Sequence, residues 1–228
     1  MTRTLAVLRP EPGNAATCAR AAAAGFATLS LPLFAVQAMP WAVPDLAAYD
    51  ALLLTSANAL RFGGPALAGL QTLPVLAVGA HTAAAARAAG FDVMASGSGD
   101  SADIVALAAA QGVRHALHLT GRDRTLEVGG IVASIVAVYE SAEIALASDA
   151  ARQLTGTTAL LHSARAARRL GALLANAGID RSAVALAAFS PAIMAAAGSG
   201  WRAIATATAP DDDALFAAVR TLPVTTGD

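Results

Sequence analysis

Short, unbroken apolar runs alternate with longer alanine-rich stretches along almost the whole chain, and this rhythm limits the fold more than any other feature. The runs at 4–8, 28–31, 51–54, 75–78, 115–119, 134–139, 158–162, 184–188 and 203–206 are each expected to form a strand. Most are separated by helix-forming sequence, and many are stopped by Pro, Gly or Ser. A strand that is apolar at every position is buried on both faces, which is the condition of a parallel sheet covered by helices. The expected class is therefore α/β.

The rhythm also repeats at longer range. The segment from Tyr49 to Leu60 (YDALLLTSANAL) resembles that from Thr157 to Arg168 (TTALLHSARAAR): each runs from a strand into a helix through a Ser. Residues 75–91 have a counterpart in 185–201, where a strand, a turn and an Ala-rich helix are followed by Gly and an aromatic residue. Two similar parallel-sheet α/β lobes are expected. Two stretches break the rhythm. Residues 31–44 carry three prolines and no helix, and residues 136–146 are extended. If both cross between lobes they would lie side by side as a two-stranded β connector. The first domain would then be discontinuous, made of residues 1–34 and 145–228, with residues 35–144 forming the second.

Composition narrows the chemistry. The chain has 228 residues, of which 56% are hydrophobic and 14% charged, enough to bury a core although much of the apolar count is alanine. The net charge of −1 provides no basic field for a nucleic-acid backbone, so no nucleic-acid partner is expected. All 15 basic residues are Arg. Without Lys, Schiff-base chemistry and a P-loop are excluded. The single Cys18 can form neither an intrachain disulfide nor a cysteine zinc site. His115 and His118, three apart on a strand, face opposite sides and would not share a metal. No apolar stretch is long enough to span a membrane, and the chain enters its first strand at once, leaving no room for a signal peptide. A cytoplasmic protein with no membrane partner is expected, acting as a monomer.

Candidate functional residues gather where strands give way to helices, the end at which open α/β sheets bind ligands. In Leu54-Thr55-Ser56-Ala57-Asn58-Ala59 the free N–H groups of a helix start would favour an anion, but Ser and Asn are equally ordinary caps. Val78-Gly79-Ala80-His81-Thr82-Ala83 offers a tight turn at Gly79 and a hydroxyl at Thr82; a plain turn and cap reads as well. His162-Ser163-Ala164-Arg165 is the repeat mate of the first motif, and Ser163 and Arg165 could meet an anion or simply cap and solvate. Arg9 follows the opening strand. Tyr139, one of two tyrosines, ends a strand where the connector is expected. A phenol with a pKa of about 10 can donate a proton at neutral pH. Asp211, Asp212 and Asp213 look like the start of the last helix. Gly97-Ser98-Gly99-Asp100-Ser101-Ala102 has the form of a dinucleotide fingerprint but lacks the acid-ended strand that should follow it.

Taken in order, these pieces resemble the uroporphyrinogen-III synthase family. Arg9-Pro10, Tyr49-Asp50 leading to Thr55-Ser56-Ala57-Asn58-Ala59, and Val78-Gly79 with Thr82-Ala83 match over the first part. Gly90-Phe91, Leu119-Thr120-Gly121-Arg122-Asp123, Val138-Tyr139, Ser163, Ser190, Gly200-Trp201 and Ala209-Pro210 complete the pattern. The resemblance implies a cofactor-free enzyme, a hydro-lyase, of two lobes with its active site in the cleft between them. It also implies a linear tetrapyrrole substrate, hydroxymethylbilane, with eight carboxylates. The terminal hydroxyl leaves as water, the last (D) pyrrole ring inverts through a spiro intermediate, and the macrocycle closes to uroporphyrinogen III on the way to heme. Tyr139 matches the family tyrosine that assists loss of the hydroxyl. Thr55, Ser56, Thr82 and Ser163 match polar positions of the cleft, and Arg9, Asn58, Gly79, Gly121 and Ser190 are expected to bind substrate beside them.

Helix N-termini following Ser56, Gly79, Gly121 and Ser163 would let a weakly anionic chain hold an octa-anion. Each is worth about 0.3–1 kcal/mol exposed and up to about 2 when partly buried, against about 8 kcal/mol for a micromolar ligand. One departure is that Ala192-Ile193 stands where many relatives have a threonine. The alternative reading is a non-catalytic two-lobed module of the same fold that binds a tetrapyrrole or another anion.

Overall fold

A computed structural model describes residues 3–97 and 101–223. In chain order the elements are β1 (Thr4–Val7), α1 (Gly13–Ala23), β2 (Ala27–Ser30), β3 (Phe34–Ala38), β4 (Ala51–Leu54), α2 (Asn58–Phe62), β5 (Val75–Val78) and α3 (Gly79–Ala88). There follow β6 (Val93–Gly97), α4 (Ser101–Ala110), β7 (Ala116–Gly121), β8 (Val132–Glu143), α5 (Ser148–Arg152), β9 (Thr158–Leu161) and α6 (Ala164–Asn176). The last are β10 (Ala185–Ala188), α7 (Pro191–Ala197), β11 (Ile204–Thr206) and α8 (Asp212–Thr221). The chain divides into two compact units, one of residues 1–35 and 143–228, the other of residues 36–142. Of the glycine-rich segment starting at Gly97, residues 98–100 lie outside the described residues.

The first unit is built on a five-stranded sheet in the order β11-β10-β9-β1-β2, parallel throughout. Its strands are short and apolar at nearly every position, so both faces bury side chains. Ala6, Leu8, Ala159, Leu161, Leu186 and Ala188 face α6 and α7, where Leu170, Leu174 and Ala197 pack on them. The intervening Leu5, Val7, Leu160 and Ala187 face α1 and α8 through Ala21, Leu215, Phe216 and Val219. This alternation is the two-residue period of a strand with each face covered by a helical layer.

The second unit holds a six-stranded sheet in the order β3-β8-β7-β4-β5-β6. β4 through β8 pair in parallel with one another. Leu52, Leu54, Val75, Ala77, Leu117 and Leu119 form one face with Ala59 of α2 and Ala83 and Ala86 of α3. Ala51, Leu53, Leu76, Ala116 and Val132 form the other with Ile104 and Ala108 of α4. The two stretches that break the βα rhythm do pair: Met39 N–H donates to the Val138 carbonyl at 2.9 Å and Ile144 N–H to the Leu33 carbonyl at 2.9 Å. The falling number on one side against the rising number on the other makes β3 and β8 antiparallel. They also extend the second sheet, as its edge pair beside β7, rather than forming a separate ribbon.

The two sheets share one topology. In the first unit the spatial order from β2 is second, first, third, fourth, fifth of its own strands. In the second unit, counting from β7, the order β8-β7-β4-β5-β6 is the same. The second unit is thus a circular permutation of the first, with β4 and β5 corresponding to β9 and β10. This correspondence is the physical content of the sequence repeat: its two halves are β4–α2 with β9–α6, and β5–α3 with β10–α7. In this order the connections change direction between the first and third strands, and a crevice opens there at the carboxyl ends. That point falls between β1 and β9 in one unit and between β7 and β4 in the other. Among the described residues no helix is long and apolar enough to cross a membrane.

Candidate functional site

In the second unit the register Leu54↔Leu119 brings Thr55, just past β4, beside the end of β7 at this change of direction. The Thr55 hydroxyl lies 3.1 Å from Nε2 of His118. His118 sits on the α4 face of the sheet and is 1% exposed. Burial, helped by the positive charge of Arg124, lowers its pKa from 6.5 to about 4, so it is neutral at physiological pH. His115, three residues earlier, lies just before β7 and is exposed. Sequence reasoning discounted His118 as half of an unworkable metal pair. Its partner lies 63 residues away, and no local pattern announces the contact.

On the opposite face of the same edge lies Tyr139. It stands across from Gly121 in the β7–β8 ladder, where the register shifts. Its ring lies directly over that glycine: a Cβ built at Gly121 would come within 2.6 Å of Tyr139 Cε2 and 2.7 Å of Cζ. Phe62, at the end of α2, flanks the ring with centroids 6.2 Å apart. The chain then turns back through Arg122, whose N–H donates to the Tyr139 carbonyl at 2.8 Å and whose guanidinium pairs with Glu140. Gly121 therefore supplies the space in which the phenol lies. Gly121→Ala is expected to push the ring aside and slow turnover about 100-fold, with overpacking costing about 1–3 kcal/mol. Steady-state kinetics beside a thermal melt would separate the two effects, and unchanged turnover would show that the ring position does not matter.

The expected helix start after Gly121 is not there. Residues 122–131 form a loop, because Gly121 leads through Arg122-Asp123-Arg124-Thr125, a polar run with no apolar helical period, into β8. The helix after Ser56 is short, five residues from Asn58 to Phe62, and its dipole is correspondingly small. Ser56 Oγ accepts the Asn58 N–H at 3.2 Å, and Asn58 Oδ1 accepts from Arg61 at 3.2 Å. Arg61, unremarked in the sequence, also reaches His81 Nε2 at 3.3 Å, bridging the starts of α2 and α3 on the exposed surface. Gly79 has φ +75°, a left-handed conformation that only glycine adopts without strain, and it turns β5 directly into α3. Thr82 is in the first turns of α3 and is 5% exposed.

In the first unit the corresponding edge carries Arg9, Ser163 and Ser190. Ser163 caps α6, its Oγ accepting from Ala166 N–H at 3.1 Å; Ser190 caps α7 by accepting from Ile193 N–H at 3.3 Å. Capping uses a lone pair and leaves each O–H free to donate. Ile193, of the Ala192-Ile193 pair, packs on the core, and Ser190 brings a hydroxyl to that turn. Arg165 stacks over Phe34, 4.4 Å from its centroid. Arg9 lines a cavity of about 340 Å³ with Arg20, Phe189, Pro210 and Asp211–Asp213.

Beneath that cavity is a polar cluster that sequence reasoning missed. Asp212, the first residue of α8, accepts from Thr17 Oγ1 at 2.8 Å and from Arg20 Nε at 2.8 Å, and lies 3.4 Å from His162 Nε2. Burial opposes ionisation of Asp212, but the hydrogen bonds from Arg20 and Thr17 outweigh it and hold the carboxyl below its usual range. Burial, with the charge of Arg9, lowers the pKa of His162 to about 4 against the pull of Asp212. At neutral pH their contact is thus a long hydrogen bond from a neutral imidazole, not an ion pair. The cluster ties α1, α8 and the end of β9 together.

The family model described as "Uroporphyrinogen-III synthase HemD" matches residues 15–217. Among solved structures, the uroporphyrinogen-III synthetase of Helicobacter pylori 26695 is similar at 16% identity and a TM-score of 0.63, covering 97% of this chain and 99% of that one. A mutant uroporphyrinogen III synthase from the extremely thermophilic bacterium Thermus thermophilus is similar at 18% identity and a TM-score of 0.50, covering 96% and 98%. At these identities the likeness is one of fold. Comparison with curated proteins gives no match.

Proposed function

The chain belongs to the uroporphyrinogen-III synthase family, and from that premise we propose that Tyr139 supplies the proton with which the terminal hydroxyl of hydroxymethylbilane leaves. The enzyme acts in tetrapyrrole biosynthesis, closing the bilane with inversion of its D ring and loss of water. The electron-rich terminal pyrrole expels the hydroxyl, the C–O bond breaks, and the phenol proton completes the departing water. The proton released when the closing pyrrole regains its aromaticity returns to the phenolate, so no net proton is consumed. The observation that carries this reading is the Tyr139 ring held over Gly121 at the carboxyl edge of the second sheet, between Phe62 and the start of the β7–β8 loop.

The remaining task is conformational. A flexible bilane must be folded so that the inverted attack outruns direct closure, and about 1.4 kcal/mol gives tenfold selectivity. Thr55, Ser56, Asn58, Gly79 and Thr82 in the second unit, and Arg9, Ser163 and Ser190 in the first, are donors suited to carboxylates. The N-termini of α3 and α6, with ten and thirteen residues, add the larger dipoles. Gly121 contributes space rather than a helix terminus. The protein works as a cytoplasmic monomer without cofactor, metal, nucleic-acid or membrane partner. Freshly generated hydroxymethylbilane given to the purified protein is expected to yield mainly the type III isomer. Type I alone, at the uncatalysed rate, would reject this function, and tight bilane binding without isomer control would favour a non-catalytic binding module.

A further inference from the structure

His118 is sealed in the second sheet, 1% exposed, and its two ring nitrogens have unlike surroundings. Nε2 lies 3.1 Å from Thr55 Oγ1, whereas Nδ1 is buried with no hydrogen-bond partner among the described residues. A neutral imidazole has one N–H to place. At Nδ1 it would be a buried donor without an acceptor, a costly and rare arrangement. At Nε2 it is satisfied by Thr55, and only a bare lone pair remains at Nδ1. The Nε2–H tautomer is therefore the one the fold selects, and it makes Thr55 Oγ1 an acceptor toward the interior. The hydroxyl hydrogen must then point away from His118, toward the half-exposed side at the carboxyl end of β4.

We propose that His118 is a positioning residue that fixes the Thr55 hydroxyl as an outward donor, so that this place on the sheet edge accepts a substrate carboxylate and disfavours a donor group. The proposal rests on the reading of Thr55 as a substrate contact. An unconstrained threonine hydroxyl rotates between donating and accepting; here one of the two roles is occupied from within. The charge of Arg124 and the burial of the ring together keep His118 neutral, so the arrangement persists at physiological pH. The coupling also explains why a histidine sits in a strand whose neighbours Leu117 and Leu119 are fully buried and apolar.

Two measurements on the full chain test this. Nitrogen-15 NMR of histidine-labelled protein, assigned with His118→Gln, should show Nε2 protonated and Nδ1 bare at neutral pH. The opposite tautomer overturns the proposal whatever the enzyme does. Steady-state kinetics with hydroxymethylbilane form the second test. Thr55→Val should raise KM about tenfold, the loss of one hydrogen bond to a charged group, and His118→Leu should raise it by a similar or smaller factor. In the double variant the His118 change should add nothing further. His118→Gln, whose amide can donate from the place of Nε2, should return KM toward wild type, and it keeps the test decisive if the leucine variant fails to fold. Additive effects on KM, or no recovery with glutamine, overturn the role of His118. An unchanged KM in Thr55→Val instead overturns the reading of Thr55 as a substrate contact, a failure the tautomer measurement keeps distinct.

Discussion

Tyr139→Phe is expected to slow formation of uroporphyrinogen III by about 10²–10⁴-fold, the range for loss of a positioned general acid, with little change in KM or thermal stability. The ring carbons make the nearest contacts: Cε2 and Cζ lie over Gly121, closer than the hydroxyl oxygen does, and Phe62 flanks the ring. Phenylalanine keeps all of these and removes only the oxygen. A loss of turnover in this variant therefore reports proton donation, whereas a loss in Gly121→Ala reports displacement of the ring. If the phenylalanine variant still turns over at close to the normal rate, the phenol is not an acid. Catalysis would then rest on holding the bilane in the geometry for inverted attack, where orientation alone can supply several kcal/mol. The isomer ratio provides a second reading. An acid that only assists departure of the hydroxyl should leave the type III fraction high as the rate falls, until uncatalysed closure competes.

The strands were legible because burial on both faces leaves an unmistakable trace. β4 and β5, apolar at all four positions, fall where the apolar runs at 51–54 and 75–78 place them. β3 was not legible as a strand of the sheet: Phe34 is its one buried residue, and prolines at 32, 40 and 44 surround it, so nothing in its pattern separates an edge strand from a loop. The five residues of β6 alternate between partly buried and exposed and end in glycine, which is a weak signal for the same reason. The sequence repeat carried the shared topology, but not the permutation that relates the two units, since that depends on which strands pair across the whole chain.

At the site, legibility followed sequence distance. Ser163 and Ser190 cap helices three residues on, which a local motif encodes. The fit of Tyr139 over Gly121 joins residues in adjacent parallel strands, and its partners are named separately by the sequence but not together. His118 with Thr55, and His162 with Asp212 and Thr17, depend on contacts across 50 to 195 residues. A lone histidine in an apolar run carries no mark of whether it falls just outside the strand and is exposed, as His115 is, or lies within it, sealed and neutral, as His118 is. The missing helix after Gly121 is a failure of a different kind. The ends of β4, β5, β9 and β10 do open helices through Ser56, Gly79, Ser163 and Ser190, and extending the analogy to the end of β7 neglected the polar, aperiodic run that follows Gly121.

Acid should destabilise both units over one pH window, and the two buried histidines set it. In the native protein His118 and His162 titrate at about 4; in the unfolded chain each returns to its ordinary 6.5. Between those values the unfolded state binds more protons, so the stability each neutral imidazole contributes is complete above about pH 6.5 and is lost progressively as pH falls toward 4. A drop of this size is worth about 3 kcal/mol per group, a substantial share of the stability of an ordinary domain. Asp212 acts lower: its carboxyl is held below its usual range, so its contribution survives this window and disappears only in stronger acid. The two tryptophans allow the units to be followed separately. Trp41 donates to the Gly63 carbonyl in the second unit, and Trp201 to the Ala197 carbonyl in the first. In urea unfolding monitored by single-tryptophan variants, His118→Gln should flatten the pH dependence seen by Trp41 and leave that seen by Trp201. His162→Gln should do the reverse. Stability that stays level from pH 7 to 4.5 in the wild-type protein would mean that the two imidazoles are not held neutral. It would also remove the electrostatic reason for His118 to present a single N–H to Thr55, so the acid limb of this curve bears on the site as directly as on the fold.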